Sequence, residues 1–223
     1  MEQLQAFGHR SFDENYNVLE FNSIKGLEAA KNLETLTISG DPEDSSKSFE
    51  DLTPLKDLKK LKLLRLSHNA IKDVTPLKDL PLLEKLYISH NQIEDVSPLN
   101  NLTNLTQLDF AKNKVEDMSS IKDLTKLDTL DIIGNKIEDI FVLKNFPELK
   151  MFNASDNKIK DISVLKNNSK LELLYLNKNE IENVDVINIL TKLLGSSMPK
   201  TNKGISLSIH NDVAVVSIIF NSL

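Results

Sequence analysis

Apolar residues return along the chain with a fixed step of 22 residues. Leu64, Leu86, Leu108, Leu130, Phe152 and Leu174 form one column. Leu66, Ile88, Phe110, Ile132, Ala154 and Leu176 form a second. An unbroken polar column follows, Asn69, Asn91, Asn113, Asn135, Asn157 and Asn179, and after it Ile71, Ile93, Val115, Ile137, Ile159 and Ile181. Several columns that keep one spacing together mark a repeat architecture.

Each unit reads LxxLxLxxNxI, then an acidic pair, then a short apolar segment such as VTPLKDL. Alternation within LxL is the strand period, so Leu64 and Leu66 point inward while Leu63, Arg65 and Ser67 point out. The asparagine side chain suits backbone groups left unpaired by the turn after the strand, and stacked asparagines predict a structural ladder between coils. Thr53-Pro54, Thr75-Pro76 and Ser97-Pro98 read as a cap residue followed by proline at the first helical position. Only about one turn fits before the next strand, which favours a 3-10 turn. A single unit cannot bury its apolar edge, but stacked units can. The predicted fold is therefore an α/β class, curved leucine-rich-repeat solenoid of about seven to eight coils, with a parallel β-sheet on its concave face and short 3-10 or helical turns on its convex face.

Leu33, Leu36 and Ile38 open a first repeat, lengthened by the insertion GDPEDSSKS before Phe49, Leu52, Leu55 and Leu58 resume the pattern. Ile24 and Leu27 suggest a preceding half-repeat, so repeats are expected over residues 22–183. Open solenoid ends expose core and sheet edge. Residues 1–21 are expected to cap one end and residues 184–223 the other. In the latter, DVINILTKLLG reads as a short amphipathic helix, and 205–209 with 213–220 as a hairpin turning at His210-Asn211-Asp212.

The phrases IKDVTPLKDL, NQIEDVSPLNNLTNLTQLDF and NKIEDI, with the opening SIKGLEAAKNLETLTIS, resemble the repeat of bacterial internalins. That resemblance implies a secreted or cell-surface protein that grips another protein, in the manner of an adhesion or virulence factor, with its concave sheet. The same repeat class occurs in a regulatory subunit of protein phosphatase 1, so an intracellular enzyme regulator is the alternative reading. The N-terminal residues have no basic segment followed by an apolar run, which taken alone predicts a cytoplasmic chain.

Composition narrows the function classes. Hydrophobic residues make up 40% of the chain but aromatics only 5%, with no Trp, so the core must be aliphatic. A net charge of −6 argues against nucleic acid or anionic membrane as partner. No apolar stretch approaches the ~20 residues of a membrane helix. Cysteine is absent, which removes disulfides and thiolate chemistry. No catalytic motif is present: there is no GxSxG and no phosphate-cradling glycine loop. The chain reads as a non-catalytic, monomeric binding module with no cofactor. His68 and His90, one repeat apart, lack a third ligand for zinc, and Asp41, Glu43 and Asp44 lack calcium-loop spacing. No metal is expected.

The candidate partner-binding surface is the outward side of the strands. Its central column is Arg65, Tyr87, Asp109, Asp131, Asn153 and Tyr175, with Thr37 extending it in the first repeat. Leu63, Lys85, Met151 and Leu173 flank it on one side and Ile133 on the other. Apolar and aromatic side chains facing water at these positions are what a protein-binding face would show. Acidic residues after the Ile column (Asp73, Glu94, Asp95, Glu116, Asp117, Glu138, Asp139 and Asp161) read as a solvated edge balanced by Lys56, Lys78, Lys122, Lys144 and Lys166.

Overall fold

A computed structural model describes the backbone of residues 2–7, 11–12, 18–19, 23–41, 48–182, 204–210 and 213–219, and the side chains of 23–41 and 48–182. Twelve strands are described: β1 (Glu2–Phe7), β2 (Ser11–Phe12), β3 (Val18–Leu19), β4 (Leu33–Ser39), β5 (Leu63–Arg65), β6 (Lys85–Tyr87), β7 (Gln107–Asp109), β8 (Thr129–Asp131), β9 (Met151–Asn153), β10 (Leu173–Tyr175), β11 (Gly204–His210) and β12 (Val213–Ile219). Strands β4 to β10 lie side by side in chain order and all in parallel, one per repeat. Their register joins each residue to its counterpart in the next repeat, as in Leu64 to Leu86 and Leu86 to Leu108. The ladder runs past the short strands, since Leu66 N–H donates to Tyr87 C=O (2.8 Å) and His68 N–H to Ser89 C=O (3.0 Å).

The return path of each coil is a 3-10 turn: Thr53–Leu55, Thr75–Leu77, Ser97–Asn101, Ser119–Ile121, Phe141–Asn145 and Ser163–Asn167. Leu77, Leu80 and Leu83 on the return path meet Leu64, Leu66, Ile71 and Val74 inside, and all are within 1% of full burial. Column by column this gives one continuous aliphatic core, with Phe110, Phe146 and Phe152 filling positions that Leu or Ile holds elsewhere. The helical column of the last described repeat departs from this pattern. Asn168 takes the place of Leu58, Leu80, Leu102, Leu124 and Phe146, and is 1% exposed. Its Nδ2 donates to Leu143 C=O (2.9 Å) and Phe146 C=O (3.0 Å).

The turn caps differ from the sequence expectation. Thr75 and Ser97 are not caps but the first residues of their turns, with proline second. The capping oxygen comes two residues earlier. Asp73 Oδ1 accepts the N–H of Thr75 (2.8 Å), and Asp51, Asp95, Asp117, Asp139 and Asp161 do the same for Thr53, Ser97, Ser119, Phe141 and Ser163. A 3-10 turn closes i to i+3 bonds, so the N–H of its first residue has no partner inside the turn and is free to meet the aspartate.

At the ends, β1 pairs in parallel with β4, while β12 pairs antiparallel with β10 and with β11. The expected 205–220 hairpin thus continues the sheet beyond the last repeat strand. The helix expected at 185–195 lies outside the described residues, as do Glu43 and Asp44 of the insertion.

Candidate binding face

The sheet register sets the site. On β5 to β10 the third strand residue faces away from the core, so Arg65, Tyr87, Asp109, Asp131, Asn153 and Tyr175 stand in one row, each paired with the next. The first strand residue gives a parallel row: Leu63, Lys85, Gln107, Thr129, Met151 and Leu173. Arg65 is exposed, and the other residues of both rows are half-buried, as side chains lying along a sheet must be. Ile133 is half-buried in the third row, where Ala111 and Ser155 are buried. Thr37 departs from the expected column: it is 4% exposed, a short side chain with a strand on either side.

The row is tied together by its own side chains. Arg65 Cζ sits 3.9 Å from the centre of the Tyr87 ring, within the range of a cation–π contact. The Tyr87 hydroxyl donates to Gln107 Oε1 on the next strand. Asp109 Oδ1 accepts the N–H of Ala111 (2.9 Å), Asp131 Oδ1 that of Ile133 (3.1 Å) and Asn153 Oδ1 that of Ser155 (3.3 Å). Asn153 Nδ2 also donates to Asp131 Oδ2 (3.2 Å). Burial pushes the carboxyls of both Asp109 and Asp131 above the usual carboxylate range. The negative charge of Asp109 pushes Asp131 further, while backbone N–H bonds hold both back.

Behind this face each asparagine of the polar column stitches two coils. Asn113 Nδ2 donates to Phe110 C=O (2.9 Å) in its own coil and to Ile88 C=O (3.0 Å) in the preceding one, while its Oδ1 accepts Ile93 N–H (3.0 Å). Asn69, Asn91, Asn135, Asn157 and Asn179 repeat this pattern, and all six are buried. The residue before each asparagine has positive φ: His68, His90, Lys112, Gly134, Asp156 and Lys178, between 53° and 67°. That left-handed corner column was missed from the sequence, where Gly134 is its single clue. It places His68 and His90 with rings stacked 4.1 Å apart, and burial together with His68 and Lys112 lowers the pKa of His90. A shallow cavity of about 360 Å³ opens where this corner meets the face, lined among others by Ile133, Asn153, Tyr175 and Lys178.

A few residues past this corner the glutamates of the acidic edge find lysine partners in the next coil, while its aspartates cap the turns. Glu50, Glu94, Glu116 and Glu138 meet Lys72, Lys114, Lys136 and Lys158 of the following coil, between 3.0 and 4.0 Å. Such exposed pairs contribute little to stability. Among the described residues no cluster of three or more His, Asp or Glu is placed to hold a metal. Nor is any described helix long and apolar enough to cross a membrane.

A family model for leucine-rich repeats (two copies) matches residues 59–101, 81–123 and 103–145. Internalin C2 from Listeria monocytogenes is 33% identical, superposes with a TM-score of 0.67, and is matched over 78% of this chain and 76% of its own. The chain belongs to the internalin family of leucine-rich-repeat proteins. A second Listeria monocytogenes internalin, inlF, is 30% identical with a TM-score of 0.71, over 78% of this chain and 50% of its own. A leucine-rich-repeat protein of Leptospira interrogans shares the fold at 23% identity and a TM-score of 0.70, over 78% of this chain and 45% of its own. The chain therefore spans half the length or less of two of these three relatives. No curated protein sequence matches it. Internalin-type repeats are in general protein-interaction modules, and no catalytic function is indicated among the relatives.

Proposed function

We propose that this internalin-type chain is a non-catalytic module that binds a partner protein on the exposed face of its sheet, in a secreted or cell-surface setting. One observation carries the reading. Arg65, Tyr87, Asp109, Asp131, Asn153 and Tyr175 form a row in strict register, bordered by the apolar Leu63, Met151 and Leu173 on one side and Ile133 on the other. Neighbouring coils lie about 4.8 Å apart, so a modest contact from each strand adds up along one ligand. Tyr87 and Tyr175 are rigid and amphipathic, the residue type that anchors interfaces. In this reading residues 1–21 and 184–223 cap the two ends and leave the sheet face free. Binding of the partner captured by the wild-type chain should fall on Tyr87→Ala and Tyr175→Ala. Survival of binding in both variants, with loss on changing residues 41–48 or the acidic edge, would move the site off the sheet.

A further inference from the structure

The sheet face and the edge treat their carboxylates differently. On the edge, a lysine one coil further on meets each of Glu50, Glu94, Glu116 and Glu138. In the corner column Lys112 meets Asp156. In the middle of the face, Asp109 and Asp131 stand next to each other on β7 and β8, and neither forms an ion pair with a described residue. The cation of their own row, Arg65, lies two strands from Asp109 and is stacked on Tyr87. The hydrogen bonds the two carboxylates receive are neutral: the N–H of Ala111 and the Ser89 hydroxyl at Asp109, and the N–H of Ile133 and the amide of Asn153 at Asp131, while Arg65 attracts Asp109 without closing to an ion pair. Those bonds orient the groups without cancelling two like charges that are half withdrawn from water. Such a pair is relieved by a counter-charge from outside.

We propose that Asp109 and Asp131 receive a basic side chain of the bound protein, so that the partner presents a lysine- or arginine-bearing extended segment to the centre of the face. The inference rests on the reading of the sheet as the binding face and adds the chemistry of the partner. Charge complementarity argues for it, and so does the neighbouring ring: Tyr87 already stacks one guanidinium, so an arginine entering beside it meets a carboxylate and an aromatic face together. Alternate residues of an extended peptide point the same way, which lets two basic side chains address the adjacent coils at once.

The test uses the full chain, labelled for NMR and titrated to millimolar concentration with a capped peptide of alternating arginine and glycine. The same peptide with glutamate for arginine, and magnesium or calcium alone, serve as controls. The expected result is shift changes confined to residues 87–89, 109–111 and 131–133 with the arginine peptide, and none there with the controls. The Asp109→Asn/Asp131→Asn variant, whose fold is checked by its urea midpoint, should bind the arginine peptide about tenfold or more weakly. The proposal is overturned if no shifts appear, if they map to the acidic edge at 94–95, 116–117 and 138–139, or if the variant binds equally. It is overturned too if the glutamate peptide or a divalent ion alone gives the same shifts. A captured partner that loses affinity on Tyr87→Ala but not on the double asparagine change would remove this inference and leave the sheet-face reading standing.

Discussion

Lys112 reaches past the neighbouring coil to Asp156, with Nζ 2.8 Å from Oδ2, and it crosses at Gly134. A Cβ built on Gly134 would lie 2.5 Å from Lys112 Cδ, so the missing side chain is what opens the crossing. Gly134 also has φ of +67°, where an L side chain costs roughly 1 kcal/mol. Gly134→Ala is expected to lower stability by about 1–2 kcal/mol, the strain plus the loss of an exposed ion pair. In a urea-unfolding double-mutant cycle with Asp156→Ala the double variant should lose less than the sum of the two single losses, because the alanine at 134 has already displaced Lys112.

The core and the asparagine column should be more sensitive than any surface position. Leu108→Ala opens a cavity among fully buried neighbours and is expected to cost roughly 2–5 kcal/mol. Asn113→Ala strands Ile93 N–H, a buried orphan that costs about 1–3 kcal/mol, and takes one of two donors from the Ile88 and Phe110 carbonyls, which keep the amides of Asn91 and Asn135. Equilibrium unfolding of the two variants should give losses of similar size, despite one being apolar and the other polar.

The raised carboxyls of Asp109 and Asp131 set a pH dependence of unusual sign. A carboxyl whose folded pKa exceeds its unfolded one holds more protons when folded. Its contribution therefore falls as pH rises from the ordinary carboxylate range through the raised value, and the penalty is complete above it. Asp109→Asn and Asp131→Asn keep an oxygen for the Ala111 and Ile133 N–H groups but carry no charge. Both variants should be more stable than wild type at neutral pH, with the gain shrinking in acid. Thermal unfolding of wild type and variants across pH 3 to 7, a range of about four units around the reference carboxylate values, would read it. A gain that grows in acid would contradict the assignment.

How much of this was legible in the sequence depended on what burial enforces. The Leu64, Leu66, Ile71 and Leu77 columns were readable because each must be apolar in every coil, and the inward and outward alternation at Leu63, Leu64 and Arg65 followed from the strand period. The left-handed corner was not readable, because His68, His90, Lys112, Asp156 and Lys178 share a backbone conformation but no side-chain chemistry. Which lysines pair with the edge glutamates was not readable, for a geometric reason. Lys78 is near Asp73 in sequence but lies around the corner of the coil, whereas Lys114 lies 20 residues from Glu94 and beside it in the stack. Asn168 shows a further limit: a polar residue inherits an apolar position when neighbouring carbonyls are within reach.

His90 adds a second and opposite pH term. Its pKa is lowered by burial first, then by His68 and Lys112, so the unfolded chain takes up the proton earlier as pH falls. The contribution of His90 is complete above the ordinary histidine range and is lost as pH drops through that range toward the lowered value. His90→Gln should abolish this loss. The check is wild-type and variant stability at pH 8 and pH 5, about one and a half units either side of the reference histidine value.

The sheet-face assignment is tested most directly by measuring, for one captured partner, the affinity and the unfolding free energy of Tyr87→Ala and Tyr175→Ala side by side. Both side chains lie on the solvent side of the sheet, so unfolding should change by less than about 1 kcal/mol. Binding should weaken by about 1–3 kcal/mol for at least one of them, as hot-spot truncations do. Unchanged affinity in both variants, with folding intact, would contradict the assignment.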